Sequence, residues 1–214
     1  MLDELLGKKI GMTQVYDESG SVRPVTVIQL GPCTVMQVKT RETDGYTALQ
    51  LGFGDKRRKS ATRPERARAE KAGTEPKHFI REVRVAQLSE AHKPGLVVTA
   101  AEFEGVRVVS VRGTTKGRGF AGVVRRHGFR GSPQSHGASK VHRRHGSIAS
   151  ASRLTKVPKG MRMEGRMGGV WRTVKNLRVV KLEAEKNLLL VGGGIPGPVG
   201  GFLSVRAVKR ETKV

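Results

Sequence analysis

Acidic residues are scarce in this chain: 18 Asp+Glu stand against 41 Lys+Arg, a formal net charge of +23. So one-sided a chain repels itself unless a polyanion neutralises it, which makes nucleic acid the leading class of partner. Long apolar runs are also missing. No stretch approaches the ~20 residues of a membrane span, and no amphipathic basic helix or lipidation signal offers a membrane anchor. The start, Met1-Leu2-Asp3-Glu4-Leu5-Leu6, places acid before its leucines and has no basic n-region, so it does not read as a signal peptide. Cysteine occurs once, at Cys33. That excludes an intramolecular disulfide framework and fits a reducing compartment, so the expected location is cytoplasmic. Cys33 lies in strand-like sequence and reads as a small buried thiol rather than a reactive one. Aromatics make up 4% and apolar residues 36% of the 214 positions, so part of the chain is not expected to enter a core.

What is present begins with short β-prone runs punctuated by turns. Lys9 to Tyr16 leads through Asp17-Glu18-Ser19-Gly20 into Pro24 to Leu30; Val35 to Val38 and Tyr46 to Leu51 follow, with Thr43-Asp44-Gly45 between them. Strands at such spacing suggest a barrel or sandwich. Residues 54–95 differ, with the charged run Lys56-Arg57-Arg58-Lys59 and a short helix predicted between Pro64 and Gly73. The mixed charge of that helix reads first as a solvated face. Phe79 to Val85, Leu96 to Thr99 and Val106 to Val111 return to strand. Near the end, Val170 to Leu182, Asn187 to Val191 and Phe202 to Val208 are strand-like, with a Gly/Pro-rich connection at 192–201.

The segment 112–166 stands apart. It carries fourteen Lys+Arg against the single acid Glu164, a net charge of +13, and its apolar residues show no sustained period. Such sequence cannot offset its own ordering entropy by burial and is expected to order only against a partner that neutralises it. Lys and Arg suit phosphates, Arg also stacks on bases, and interspersed glycine lets backbone approach RNA closely.

Several chemistries can be weighed and set aside. Gly117-Arg118-Gly119-Phe120-Ala121-Gly122 matches the dinucleotide fingerprint, but Val123-Val124-Arg125-Arg126-His127-Gly128 reads as a poor helix start and no acid follows before Glu164. A second match at Gly192, Gly194 and Gly197 is interrupted by Pro196 and followed by Pro198. His127, His136, His142 and His145 fit no common zinc spacing and are set among guanidinium groups that oppose a dication, so no metal and no cofactor are expected. Imidazoles stacking on or hydrogen-bonding to RNA are the better reading. Acid–base or nucleophilic chemistry needs a base held by an orienting carboxylate, and the basic segment has essentially none to offer, so no catalytic residue is named and no small-molecule substrate is expected. A DNA-compacting protein is the rival among polyanion binders, but no helix-turn-helix, zinc finger or basic zipper is present.

These residues resemble the bacterial form of the third large-subunit ribosomal protein family, nearly end to end. The resemblance runs through Gly7-Lys8-Lys9-Ile10-Gly11-Met12-Thr13-Gln14-Val15, Pro24-Val25-Thr26-Val27-Ile28 and Asp44-Gly45-Tyr46. It continues in Gly113-Thr114-Thr115-Lys116-Gly117-Arg118-Gly119-Phe120-Ala121-Gly122, Ser135-His136-Gly137, His142-Arg143, Gly146-Ser147-Ile148, Lys159-Gly160, Gly165-Arg166-Met167-Gly168 and Asn187-Leu188-Leu189-Leu190-Val191. Departures fall at Ala149, where glycine is usual, at Leu154-Thr155, where Pro-Gly is common, and at Pro158, where an aromatic is common.

The resemblance implies a mainly β protein. It would have a translation-protein-type β-barrel body (1–111 and 167–214), a small inserted α+β piece (54–95) and a long basic non-globular extension (112–166). It implies a structural constituent of the large ribosomal subunit in the cytoplasm, not an enzyme. The partners implied are large-subunit ribosomal RNA and neighbouring ribosomal proteins, with no membrane and no homo-oligomer. Binding would lie near the 3′ end of that RNA, early subunit assembly would be nucleated, and the extension would reach toward the peptidyl transferase centre. The expected RNA contacts are Lys116, Arg118, Arg125, Arg126, His127, Arg130, His136, Lys140, His142, Arg143, Arg144, His145, Arg153, Lys156, Lys159, Arg162 and Arg166.

Overall fold

The computed structural model describes residues 2–17, 19–88, 92–148 and 156–210. In chain order its strands are β1 (Glu4–Tyr16), β2 (Val22–Leu30), β3 (Cys33–Lys39), β4 (Ala48–Asp55), β5 (Lys77–Arg84), β6 (Val97–Val98), β7 (Val106–Thr114), β8 (Phe120–Ala121), β9 (Gly165–Arg166), β10 (Trp171–Glu183), β11 (Leu188–Gly192) and β12 (Phe202–Arg210). The α-helices are α1 (Arg41–Asp44), α2 (Arg63–Lys71) and α3 (Val123–His127). The protein is mainly β, as its alternating apolar pattern leads one to expect. It divides into two units, Met1–Thr114 with Trp171–Val214, and Thr115–Val170.

In the first unit six antiparallel strands pair in a closed circuit, β1-β12-β7-β10-β11-β2. The alternation that drives this is plain in the second half of β7, where Val109, Val111 and Gly113 are buried while Ser110 is half-buried and Arg112 and Thr114 are exposed. Leu5, Leu6, Ile28, Val109, Val111, Leu189, Val191 and Val205 are wholly enclosed, each contributing about 1.5–3 kcal/mol by leaving water. β10 keeps its apolar residues inward only by bulging. Its register shifts between Val174 and Leu177 and again between Val179 and Lys181, with Asn176 in the left-handed region at φ 58°, which asparagine tolerates better than most residues. Lys9 is buried to 7% exposure. Its ammonium donates to the carbonyls of Ile195 and Gly197, both at 3.3 Å, and so pins the Gly/Pro-rich connection to β1.

The α+β piece is larger than residues 54–95. β3 and β4 do not join the barrel; they pair with β5 and β6 in a separate sheet of order β5-β4-β3-β6. Nothing in their composition separates them from barrel strands. β4 is the giveaway in space, since it is buried along almost its whole length: one face meets the common core, and β3 beside it turns Met36 toward Ala69 and Ala72 at α2. The α2 start follows the expected chemistry, with Pro in its first turn and the Glu65 carboxylate accepting from the Thr62 N–H at 2.9 Å. Where barrel and sheet meet, Phe79 stacks on Phe202 with ring centroids 5.1 Å apart and on Trp171 at 6.3 Å. The Arg81 guanidinium lies over both Phe79 and Trp171, at 4.8 and 5.1 Å. No helix among the described residues is long and apolar enough to cross a membrane.

Candidate nucleic-acid interface

The second unit opens with two chain segments running side by side. The Thr115 N–H donates to Val170 O at 2.9 Å and the Gly169 N–H to Thr115 O at 3.2 Å. Further along, the Arg118 N–H reaches Met167 O at 2.8 Å and the Met167 N–H reaches Gly119 O at 2.9 Å. The ladder then becomes β8–β9, with Phe120 opposite Arg166 and Ala121 opposite Gly165. Such close approach needs glycine. Gly168 has φ 78°, and a Cβ there would lie 2.1 Å from the Lys116 carbonyl oxygen.

Beyond β8 the sequence forms α3, one short turn of helix that Val123-Val124-Arg125-Arg126-His127 was not expected to start. Gly122 is its N-cap, Val123 buries its side chain, and Gly128 closes it in the left-handed conformation with its N–H on Val124 O. Two of its side chains are tied to the returning chain: Arg126 Nη1 donates to Met163 O at 2.8 Å and His127 Nε2 meets the same oxygen at 3.0 Å. A carbonyl only accepts, so His127 carries a proton on Nε2. By the same logic His142 carries one on Nδ1, which faces Pro133 O at 3.0 Å. His145 Nδ1 lies 3.0 Å from the Glu164 carboxylate. His142 and His145 each leave Nε2 free of the contact made through Nδ1. The segment's lone acid is thus not idle, as its isolation in sequence suggests. Its own backbone N–H and then the His145 imidazole hold the Glu164 carboxyl below the usual carboxylate range.

Lys116, Arg118, Arg125, Arg130, His136, Lys140, His142, Arg143, Arg144, Lys156, Lys159, Arg162 and Arg166 are exposed, and His127 and His145 are half-buried. Arg126 is exposed as well, although its guanidinium is engaged by the Met163 carbonyl. Arg153 lies outside the described residues. His136 and Lys140 both take left-handed backbone, φ 59° each. The acids of the inserted piece behave differently, because they are consumed locally. Asp55 pairs with Lys77, Glu65 with Lys56, Glu75 with Arg58, and Glu82 with Lys39. Hydrogen bonds from Lys56 and from the Thr62 backbone pull the Glu65 carboxyl down to about 2. Residues 54–95 still carry twelve Lys+Arg against six Asp+Glu, so the piece stays cationic although these acids are paired.

One cationic surface was not singled out from sequence. Lys175, Arg178 and Lys181 of β10 are all exposed, at a spacing of three that would put neighbours on opposite faces of a regular strand. The two bulges of β10 make it possible. Arg112 and Arg206 join Lys175 around an open groove of about 450 Å³ that also meets Glu4, Ser110, Thr173 and Ser204. Arginine and lysine at outward positions of neighbouring strands were the available signal, but the bulges that align them were not legible.

Neither glycine fingerprint builds a dinucleotide site. α3 does follow the first, yet β8 before it is a two-residue strand on a ladder and α3 itself is only five residues long. Residues 193–201 after the second form a connection with no helix. Among the described residues no group of three or more His, Cys, Asp or Glu is placed to hold a metal ion.

The family described as ribosomal protein L3 matches residues 81–212. The large ribosomal subunit protein uL3 of Cutibacterium acnes is 48% identical over 207 residues, covering 97% of this chain and 92% of its own length. That of Thermobifida fusca is 50% identical over 209 residues, covering 98% and 96%. The uL3 of Herpetosiphon aurantiacus is 47% identical over 213 residues and is matched along its full length. Identity near one half, sustained over nearly every residue, leaves one assignment: the chain belongs to the ribosomal protein L3 family.

Proposed function

We propose that this protein is a structural constituent of the large ribosomal subunit that binds its ribosomal RNA and performs no catalysis. The six-stranded barrel is the translation-protein-type body, and residues 115–170 are the basic extension that threads into RNA. The observation that carries this reading is the charge of that unit: thirteen Lys+Arg less one Glu, a net +12, on side chains that are almost all exposed. Such a surface is matched by phosphates at close spacing and by little else. The contacts are made by Lys116, Arg118, Arg125, Arg126, Arg130, Lys140, Arg143, Arg144, Arg153, Lys156, Lys159, Arg162 and Arg166, with His127, His136, His142 and His145 as hydrogen-bonding or stacking groups. Binding near the 3′ end of the RNA, nucleation of early assembly, a reach toward the peptidyl transferase centre and contact with neighbouring ribosomal proteins complete the reading.

Sedimentation of a lysate at near-physiological salt, with this protein detected across the gradient, tests it. Co-migration with large subunits should persist through a high-salt wash. A superficially held cationic protein loses about 10³–10⁵ in affinity between 50 and 200 mM salt. A protein found free, or travelling with chromosomal DNA, would overturn the ribosomal reading and favour the DNA-compacting one.

A further inference from the structure

We infer that Phe120 is a stacking platform for one unpaired nucleobase of the bound RNA. This rests on the proposed RNA-binding role and adds to it an apolar aromatic contact that the basic and histidine side chains do not supply. Nearly all the phenylalanine and tryptophan of the chain is spent on packing: Phe53, Phe79, Phe103, Phe202 and Trp171 belong to the core or pack against it. Within residues 115–170 only Phe120 and Phe129 remain, and Phe129 is half-buried with its ring 6.1 Å from that of His127. Phe120 is 75% exposed, the highest exposure of any large apolar side chain described.

The fold holds it there. Phe120 and Arg166 are cross-strand partners, so their side chains share one face of the β8–β9 ladder. The other face is occupied, since Ala121 is buried and a Cβ on Gly165 would lie 2.7 Å from the Arg126 guanidinium. Phe120 cannot turn inward without flipping that ladder. Around it lies an open concavity of about 670 Å³ walled by Gly117, Gly119, Met167, Gly168, Gly169 and Arg166. Four glycines leave the wall without side chains to obstruct a flat ring, and no carboxylate lines it to repel a phosphate. An exposed aromatic, a guanidinium on the same face and bare backbone beside them is the chemistry that receives a splayed-out base and its phosphate. The unit that carries it has a net charge of +12, which favours a polyanion over a protein neighbour as the occupant.

The full-length chain is titrated with deproteinised large-subunit ribosomal RNA over a range of salt, as wild type, Phe120→Leu and Phe120→Trp. Phe120→Leu should weaken binding about tenfold at every salt concentration without changing the salt slope, because stacking releases no counterions. Phe120→Trp should bind as tightly as wild type or tighter. Thermal midpoints should be equal, given the exposure of the side chain. Ultraviolet cross-linking of the wild-type complex should join a nucleotide to the peptide containing Phe120. The inference is overturned if Phe120→Leu binds like wild type, if Phe120→Trp is as weak as Phe120→Leu, or if Phe120→Leu binds naked RNA normally and fails only to enter subunits, which would assign the ring to a protein neighbour. A wild-type chain with no preference for this RNA would instead remove the proposed function on which the inference stands.

Discussion

Cys33 illustrates how much a single side chain reveals before and after folding. Its strand-like surroundings indicate burial, and the structure encloses it completely, with Sγ donating to Leu6 O at 3.3 Å. Burial pushes its thiol up to about 12, from an ordinary value of 9.0. The neutral thiol is thus favoured by the fold, and its contribution is complete below about pH 9 and is lost as the pH climbs toward 12. Between pH 9 and 10.5 the wild type should therefore lose about 1–2 kcal/mol more stability than Cys33→Ala, read from denaturant midpoints at the two pH values. Equal losses would show that the thiol ionises as freely in the fold as in the unfolded chain. A thiol reagent at pH 8 should likewise react only as fast as the protein opens. The pairing of His145 with Glu164 was illegible by comparison, because nineteen residues separate them and neither lies in a periodic element.

Elements were readable where one periodicity governs them. The strands of both chain ends and the capped helix α2 fall within a few residues of where alternation, turn residues and the Pro64/Gly73 pair place them. Readability failed where tertiary pairing decides: β3 and β4 belong to the inserted sheet, α3 forms although its residues are poor helix starters, and the bulges of β10 follow from barrel closure. The ladder at the base of the basic unit depends on backbone geometry that only glycine satisfies. Gly168→Ala would force a Cβ to 2.1 Å from Lys116 O at a positive φ, a local cost of about 1–3 kcal/mol. Hydrogen exchange at the Arg118 and Met167 amides, whose bonds cross the ladder, should accelerate about ten- to a hundredfold, while the Val111 amide of β7 keeps its protection. Unchanged protection at Arg118 and Met167 would mean that the close approach is dispensable.

At the scale of the whole molecule, the net charge of +23 and the way it is divided were fully present in composition. The unit boundaries were not, because the ladder continues β7 to Thr114 and starts β10 at Trp171, three to four residues from where the composition changes. Thr114 and Trp171 are direct cross-strand partners, so the basic unit leaves and re-enters the barrel at one rung. Replacing residues 115–170 by Asn-Gly should give a two-residue hairpin that preserves the barrel. The shortened chain should still unfold in one cooperative transition, and its salt slope for RNA should fall to less than half. A chain that failed to fold would show that the barrel depends on the segment it carries. The seam of the barrel carries a different consequence, one of timing. β1 is paired to β12 as well as to β2, so the circuit cannot close until a strand that follows the basic segment has been made. The polycationic stretch therefore leaves the translating ribosome while that circuit is still open, and the newborn protein exposes its charge before its own body has closed.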